Sequence, residues 1–191
     1  MRDHVPPSCL FSNPKPGNLI TVPSCNLCNS QFSKHDEYFR LVVALGIDSS
    51  KFPKENADSV RAIKSLGRQA SRGFAMKLLQ SYERSPARLT VDRNRVEIVL
   101  RRIATGLFYY HESVRFPQEM LFEFLEAEPE NLPPAGRESI AWLERNLSTI
   151  GQGTFRYAYE YEKGPGADPF GTVWLMRFYD HRTFFCATAS N

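Results

Sequence analysis

The sequence has no run of about 18 consecutive apolar residues, which argues against a membrane-spanning helix. The charged residues at its start are not followed by the apolar segment of a secretory signal, so we expect a cytoplasmic protein. Cysteine is scarce, and the few cysteines do not resemble the framework of a disulfide-stabilised secreted domain. They are Cys9, Cys25, Cys28 and Cys186. The close pair, Cys25 and Cys28, is typical of a metal or redox site in a cytosolic chain.

The composition is that of a folded protein. The chain has 191 residues, of which 42% are hydrophobic and 13% aromatic, and this is enough to build a core. The length suits one domain, or a small module joined to a larger region.

The charge is distributed unevenly. Residues 51–102 carry thirteen Lys and Arg against five Asp and Glu, a net charge of +8, whereas residues 103–191 carry seven against twelve, a net charge of −5. A basic middle region suits contact with a phosphate backbone. The alternative is that these charges lie on the solvated faces of surface helices.

The apolar periodicity predicts an α+β fold. We expect a small N-terminal module, a helical middle and a C-terminal antiparallel sheet. Asp92 is predicted to cap the clearest helix. The predicted apolar face of that helix contains Val96, Val99, Leu100, Ile103, Leu107 and Tyr110. The other helices are predicted at 25–45, 58–72, 74–82 and 138–147, and the strands at 18–22, 154–161, 172–179 and 183–187.

Four short motifs occur in order near the N-terminus. They are Asp3-His4, Pro6, Asn18-Leu19 and the Cys25-x-x-Cys28-Asn29 run. Their order and spacing resemble those of the HNH (ββα-metal) endonuclease family. The resemblance covers residues 1–50, implies a ββα-metal module there, and leaves residues 51–191 as a helical and antiparallel β region of unknown role.

The resemblance implies a role for each motif residue. His4 would be the general base that takes a proton from water, and Asn18 would hold its imidazole in the correct orientation. Asp3 and Asn29 would hold a divalent cation (Mg, Mn or Zn) that stabilises charge on the scissile phosphate.

The chain departs from this family at a second cysteine pair. Relatives that bind structural zinc carry another Cys-x-x-Cys before the Asp-His motif, and here the first strand is largely missing. Cys25 and Cys28 supply only two of the four ligands that structural zinc needs, with Cys9 and His35 as uncertain additions. We therefore expect an incomplete zinc site and a poorly held N-terminus. Either the reading frame is longer, or the module is a decayed copy.

A basic stripe is predicted on the second helix. Its members are Arg61, Lys64, Arg68 and Arg72, and their spacings of three and four place them on one helical face. A polyanion such as DNA would explain a stripe of like charges, whereas neutralisation by Glu55 and Asp58 would make it an ordinary solvated face.

Three functions remain open at this point. The first is a metal-dependent HNH endonuclease that hydrolyses DNA phosphodiester bonds. The alternative is a non-catalytic nucleic-acid-binding or interaction protein built on a decayed HNH module, and the third is a structural partner protein whose cysteine pair is incidental. Neither the oligomeric state nor the choice between DNA and RNA follows from the sequence.

Overall fold

The computed structural model describes most of the chain. It covers residues 2–45, 47–66, 91–117, 120–125, 134–163 and 170–189, without the side chains of 27–29, 62–66, 134–136, 162, 163 and 170. The described helices are α1 (Asn26–Ala44), α2 (Pro53–Leu66), α3 (Arg93–Glu112) and α4 (Pro134–Arg145). The described strands are β1 (Arg2–Val5), β2 (Ile20–Pro23), β3 (Leu121–Leu125), β4 (Ser148–Ile150), β5 (Phe155–Lys163), β6 (Phe170–Phe178) and β7 (Arg182–Ala189). The predicted helix at 74–82 lies outside the described residues.

The N-terminal part has the order β–β–α. Strands β1 and β2 pair antiparallel over four residues, with His4 opposite Thr21, and α1 follows directly. The predicted strand at 18–22 and helix at 25–45 are therefore confirmed. The expectation of a poorly held N-terminus is wrong, because β1 is paired along its length and Val5 is buried.

Two helices begin earlier than predicted, and both begin with proline. Helix α2 starts at Pro53 rather than at Asp58 or Ser59, and α4 starts at Pro134 rather than at Glu138. Proline suits the first position of a helix, because its fixed φ fits the helix and its missing N–H would have had no helical partner. Both starts were therefore predicted several residues too late.

Helix α3 is the predicted Asp92-capped helix. The Asp92 side chain accepts a hydrogen bond from the Arg95 N–H, and the helix ends at Ser113 in the left-handed conformation. The predicted apolar face is buried from Val96 to Leu107. Tyr110 is an exception, with 52% of its surface exposed, because it lies in the last turn beyond the buried part of the helix.

The C-terminal sheet has five antiparallel strands in the order β3-β7-β6-β5-β4. The predicted hairpin of β6 and β7 and the preceding strand β5 are confirmed, and the α+β fold is confirmed with them. Strands β3 and β4 were not predicted. Strand β4 has only three residues, and β3 (LFEFL) has a single charged residue to mark its outer face.

Both faces of the sheet are covered. One face contributes aromatic side chains to the main core with α1 and α3, including Trp174 stacked on Tyr159 at 4.6 Å. The opposite face packs against α4 through a smaller cluster. Its members are Ile140, Leu143, Ala158, Leu175 and Phe185. Since the main core includes Val5 and Phe39 together with Leu107 and Phe178, residues 1–50 share their core with the rest of the chain.

None of the helices in the described ranges is both long and apolar enough to cross a membrane.

Candidate functional site

The Asp3-His4 motif lies at the edge of a cavity. Both residues lie in β1, the first strand of the β–β–α unit. Both line a cavity of about 420 Å³ between that unit and α3. The polar and charged residues of its wall are Asp3, His4, Ser24, Arg102, Thr105, Tyr109 and Arg115. Four of these belong to α3 or to the turn after it, so the cavity is formed jointly by residues 1–50 and the region that follows.

Arg102 connects three elements at this cavity. One terminal nitrogen of its guanidinium lies 2.7 Å from Asp3 Oδ2 on β1, and the other lies 2.6 Å from Asp36 Oδ1 on α1. The guanidinium carbon also lies 4.4 Å from the centre of the Phe32 ring, which is a cation–π distance. Arg102 therefore fixes β1 against α1 and α3.

The two carboxylates of this network differ in their surroundings. Asp3 Oδ1 accepts a hydrogen bond of 2.8 Å from the His4 N–H, so both oxygens of Asp3 have protein partners. Burial raises the pKa of Asp36 above its ordinary value, and the opposing attraction of Arg102 does not fully compensate. The single guanidinium thus serves two acidic groups.

Asn18 has partners far along the chain. Its Nδ2 donates to the Thr149 carbonyl at 3.1 Å, and its Oδ1 accepts from the Gly151 N–H at 3.2 Å. Both polar atoms of the amide are thus used to hold the loop before β2 against the turn between β4 and β5. These contacts give Asn18 a structural role that the sequence did not reveal. Its predicted role in orienting His4 stays a prediction.

The helix-side positions are only partly described. Cys25 is exposed just before α1, and Cys28 and Asn29 lie in the first turns of that helix, as predicted, but their side chains are outside the described residues. The predicted cation site of Asp3 and Asn29 and the predicted incomplete zinc site of Cys25 and Cys28 therefore stay predictions. Among the described side chains, no group of three or more His, Cys, Asp or Glu is arranged to hold a metal ion.

Cys9 is poorly suited to zinc binding. Its thiol donates to the Asp36 carbonyl at a sulfur–oxygen distance of 3.6 Å. Burial raises its pKa to about 12, which opposes formation of the thiolate that binds metals. His35, the other uncertain ligand, has its Nδ1 buried without a hydrogen-bond partner in the described part of the chain.

The predicted basic stripe is half described. Arg61 and Lys64 both lie on α2, whereas Arg68 and Arg72 are outside the described residues. Arg61 is exposed and forms an ion pair with Asp58 of the preceding turn. At this one position, neutralisation by a neighbouring acid is therefore observed.

Comparison with known proteins adds no relative. The chain matches no protein-family model, no curated protein and no solved structure. The resemblance of residues 1–50 to the HNH family consequently stays a prediction from the order and spacing of the motifs.

Proposed function

We propose that this protein is an HNH-type endonuclease that hydrolyses DNA phosphodiester bonds at the cavity beside His4. The observation that carries the proposal is the position of Asp3 and His4. They lie in the first strand of a β–β–α unit and line a cavity that also presents the guanidinium groups of Arg102 and Arg115. An imidazole beside guanidinium groups is suited to a reaction at a phosphate, since the imidazole moves a proton and a guanidinium that is not neutralised attracts the anion.

Each of these residues has its own role in the proposed hydrolysis. His4 accepts the proton of the attacking water, and Asp3 supports it by accepting the hydrogen bond from the His4 backbone N–H. Arg102 holds Asp3 in place from α3. The apolar part of the wall includes Val22 and Phe32.

We also propose that a divalent cation binds at this site, although the roles given to His4, Asp3 and Arg102 do not depend on it. The described donors do not form a complete metal site, because Asp3 is the only carboxylate among the described residues that line the cavity, and it is already bound to Arg102. Asp3 and Asn29 are the residues that would hold the ion. When bound, it would stabilise negative charge on the phosphate and on the leaving oxygen. Zinc at Cys25 and Cys28 is likewise a proposal.

One observation favours the second candidate function, a non-catalytic nucleic-acid-binding protein. The Arg102 guanidinium competes directly with a cation for the Asp3 carboxylate. If that ion pair persists in the presence of metal ions and DNA, the module would bind a phosphate without hydrolysing it.

Two measurements on the full chain, cleavage of DNA and binding of DNA, distinguish the two candidate functions. We expect nicking of a supercoiled plasmid in Mg, Mn or Zn salts, with metal content measured on the purified protein. His4→Ala should lower the rate by about 10²–10⁴-fold, the usual contribution of a general base. The matched control is His181→Ala, because His181 lies in the exposed turn between β6 and β7 and does not line the cavity.

The two candidate functions predict different results. Binding of duplex DNA without cleavage in any of the three salts would favour the non-catalytic protein. Cleavage that survives in His4→Ala would contradict the assignment of the general base. For its cellular location we propose the cytoplasm.

A further inference from the structure

Among the described residues that line the cavity beside His4, one cation has no ion pair with another described residue. Among the described residues that line it, three carry a full charge: Asp3, Arg102 and Arg115. Arg102 is bound to Asp3 and to Asp36, and this guanidinium with its two carboxylates has a net charge of −1. Arg115 is exposed and has no ion pair with any residue in the described ranges.

Two of the three hydroxyl groups in the wall, those of Ser24 and Thr105 but not that of Tyr109, also have partners in the protein. The Ser24 hydroxyl donates to the Cys25 carbonyl at 3.3 Å, and the Thr105 hydroxyl donates to the Arg101 carbonyl at 3.0 Å. An anion that enters the cavity would therefore find few available donors. The guanidinium of Arg115, with five N–H donors in a planar fork, is the main one.

The backbone beside Arg115 is held in place. Helix α3 ends at Ser113, which has a φ of 57°, and this left-handed residue turns the chain toward the cavity. Phe116 then packs edge-on against Phe108 at a centroid distance of 5.1 Å, and lies 5.2 Å from Phe122 of β3. Arg115 is therefore an exposed side chain on an anchored backbone, so that binding a ligand would order the side chain but not the segment that carries it.

We propose that Arg115 binds a phosphate of the DNA backbone at this cavity, as the principal cation that the protein itself supplies there. The inference depends on the proposed function, because it takes the ligand to be a nucleic acid bound beside His4. It also goes beyond that function, because Arg115 lies outside the HNH-like residues 1–50. The region of unknown role would then supply part of the substrate-binding site.

The test is a salt titration of DNA binding by the full chain. A labelled duplex of about 16 base pairs is titrated without added divalent cations, at several concentrations between about 25 and 200 mM salt. Each phosphate contact contributes roughly −0.9 to the slope of log K against log salt. We expect Arg115→Gln to reduce the magnitude of the slope by about one unit, and Arg115→Lys to retain the wild-type slope, because Lys keeps the charge.

Arg137→Gln is the matched control. Arg137 is also exposed, but it lies on α4, which covers the face of the sheet that points away from the main core. The slope of log K against log salt for Arg137→Gln should equal that of the wild type.

Failure of this inference differs from failure of the proposed function. If the wild type binds and cleaves DNA but Arg115→Gln leaves the slope unchanged, or Arg115→Lys loses as much slope as Arg115→Gln, the inference is overturned and the nuclease stands. If the slope changes as expected but no cleavage occurs in any salt, the phosphate contact is supported and hydrolysis is overturned. An absence of DNA binding overturns both.

Discussion

A substitution of Gly106 tests how closely α3 packs against β1, the strand that contains His4. A Cβ at Gly106 would lie 2.6 Å from Val5 Cγ2 and 3.2 Å from Val5 Cγ1. The favourable separation of two carbon atoms is about 3.5–4.0 Å, so a methyl group at this position requires a movement. Val5 is 5% exposed and β-branched, and it has little rotamer freedom with which to yield. The strand β1, with His4 next to Val5, would have to move instead.

Two opposing effects decide the result of Gly106→Ala. Replacing glycine by alanine inside a helix normally stabilises it by about 1 kcal/mol. Overpacking a buried contact costs about 1–3 kcal/mol. We therefore expect a net change in the free energy of unfolding between about 0 and 2 kcal/mol, destabilising, in place of the usual gain.

A double-mutant cycle with Val5→Ala isolates the contact. Val5→Ala alone removes two methyl groups and should cost at least about 1.6 kcal/mol, at about 0.8 kcal/mol for each group. In the double variant the new methyl at position 106 enters the space that Val5 has left. The two changes should then be less costly together than separately, with a coupling free energy of about 1–3 kcal/mol.

Urea unfolding followed by circular dichroism measures all four proteins. Gly17→Ala is the control, because a Cβ at Gly17 has no heavy atom within 4 Å, and its effect should stay within about 0.5 kcal/mol. A Gly106→Ala variant that is stabilised by about 1 kcal/mol, with a coupling free energy near zero, would refute the close approach of β1 and α3.

Three further changes test single contacts by urea unfolding. Tyr179→Phe removes the donor of a buried 2.7 Å hydrogen bond to the Leu10 carbonyl and should cost about 1–3 kcal/mol, against almost nothing for exposed Tyr110→Phe; equal effects would contradict the bond. Asn18→Ala loses both hydrogen bonds to the turn between β4 and β5 and should cost about 1 kcal/mol, so an unchanged stability would rule out this role. Burial raises the pKa of Asp36, so its stabilising contribution is largest below the ordinary carboxyl pKa and decreases as the pH rises through the raised value. Wild type should therefore lose stability relative to Asp36→Asn between pH 3 and pH 7, and the opposite trend would show that the ion pair outweighs burial.

Local features of the fold could be predicted because neighbouring residues determine them. Asp92 caps α3 through the N–H three residues later, and the alternation in β5 to β7 marks both faces of each strand. The starts of α2 and α4 could also have been found, since Pro53 and Pro134 occupy a favourable first position. The three residues of β4 are too few to show a period, and only pairing with β5 defines them as a strand.

The site was only partly predictable, for a related reason. Asp3 and His4 are adjacent in the chain, so one motif located both. Their partner Arg102 lies 99 residues from Asp3, and the Thr149 partner of Asn18 lies 131 residues away. Side chains so distant in the chain come into contact only after the helices and the sheet have packed. Such contacts cannot be predicted from the spacing of residues in the sequence. Arg102 also flanks the apolar stripe of α3, where an arginine is ordinarily a solvated residue.

Because residues 1–50 share their core with the rest of the chain, we predict that they do not fold by themselves. Phe39 of α1 is fully buried, and its ring meets Phe178 of β6 edge-on at a centroid distance of 5.0 Å. Asp3 depends on Arg102, and Val5 packs directly on Gly106.

A peptide of residues 1–50 would expose all of these contacts, and a segment so short rarely buries enough apolar surface to fold alone. Zinc would not replace them, since the two thiolates of Cys25 and Cys28 are half of a structural set. We therefore expect the peptide to show no cooperative thermal transition by circular dichroism, with or without one equivalent of zinc, whereas the full chain unfolds cooperatively. A peptide that folds by itself would mean that the HNH-like residues form an independent module. Helix α3 would then be an addition to the site at His4 instead of one of its walls.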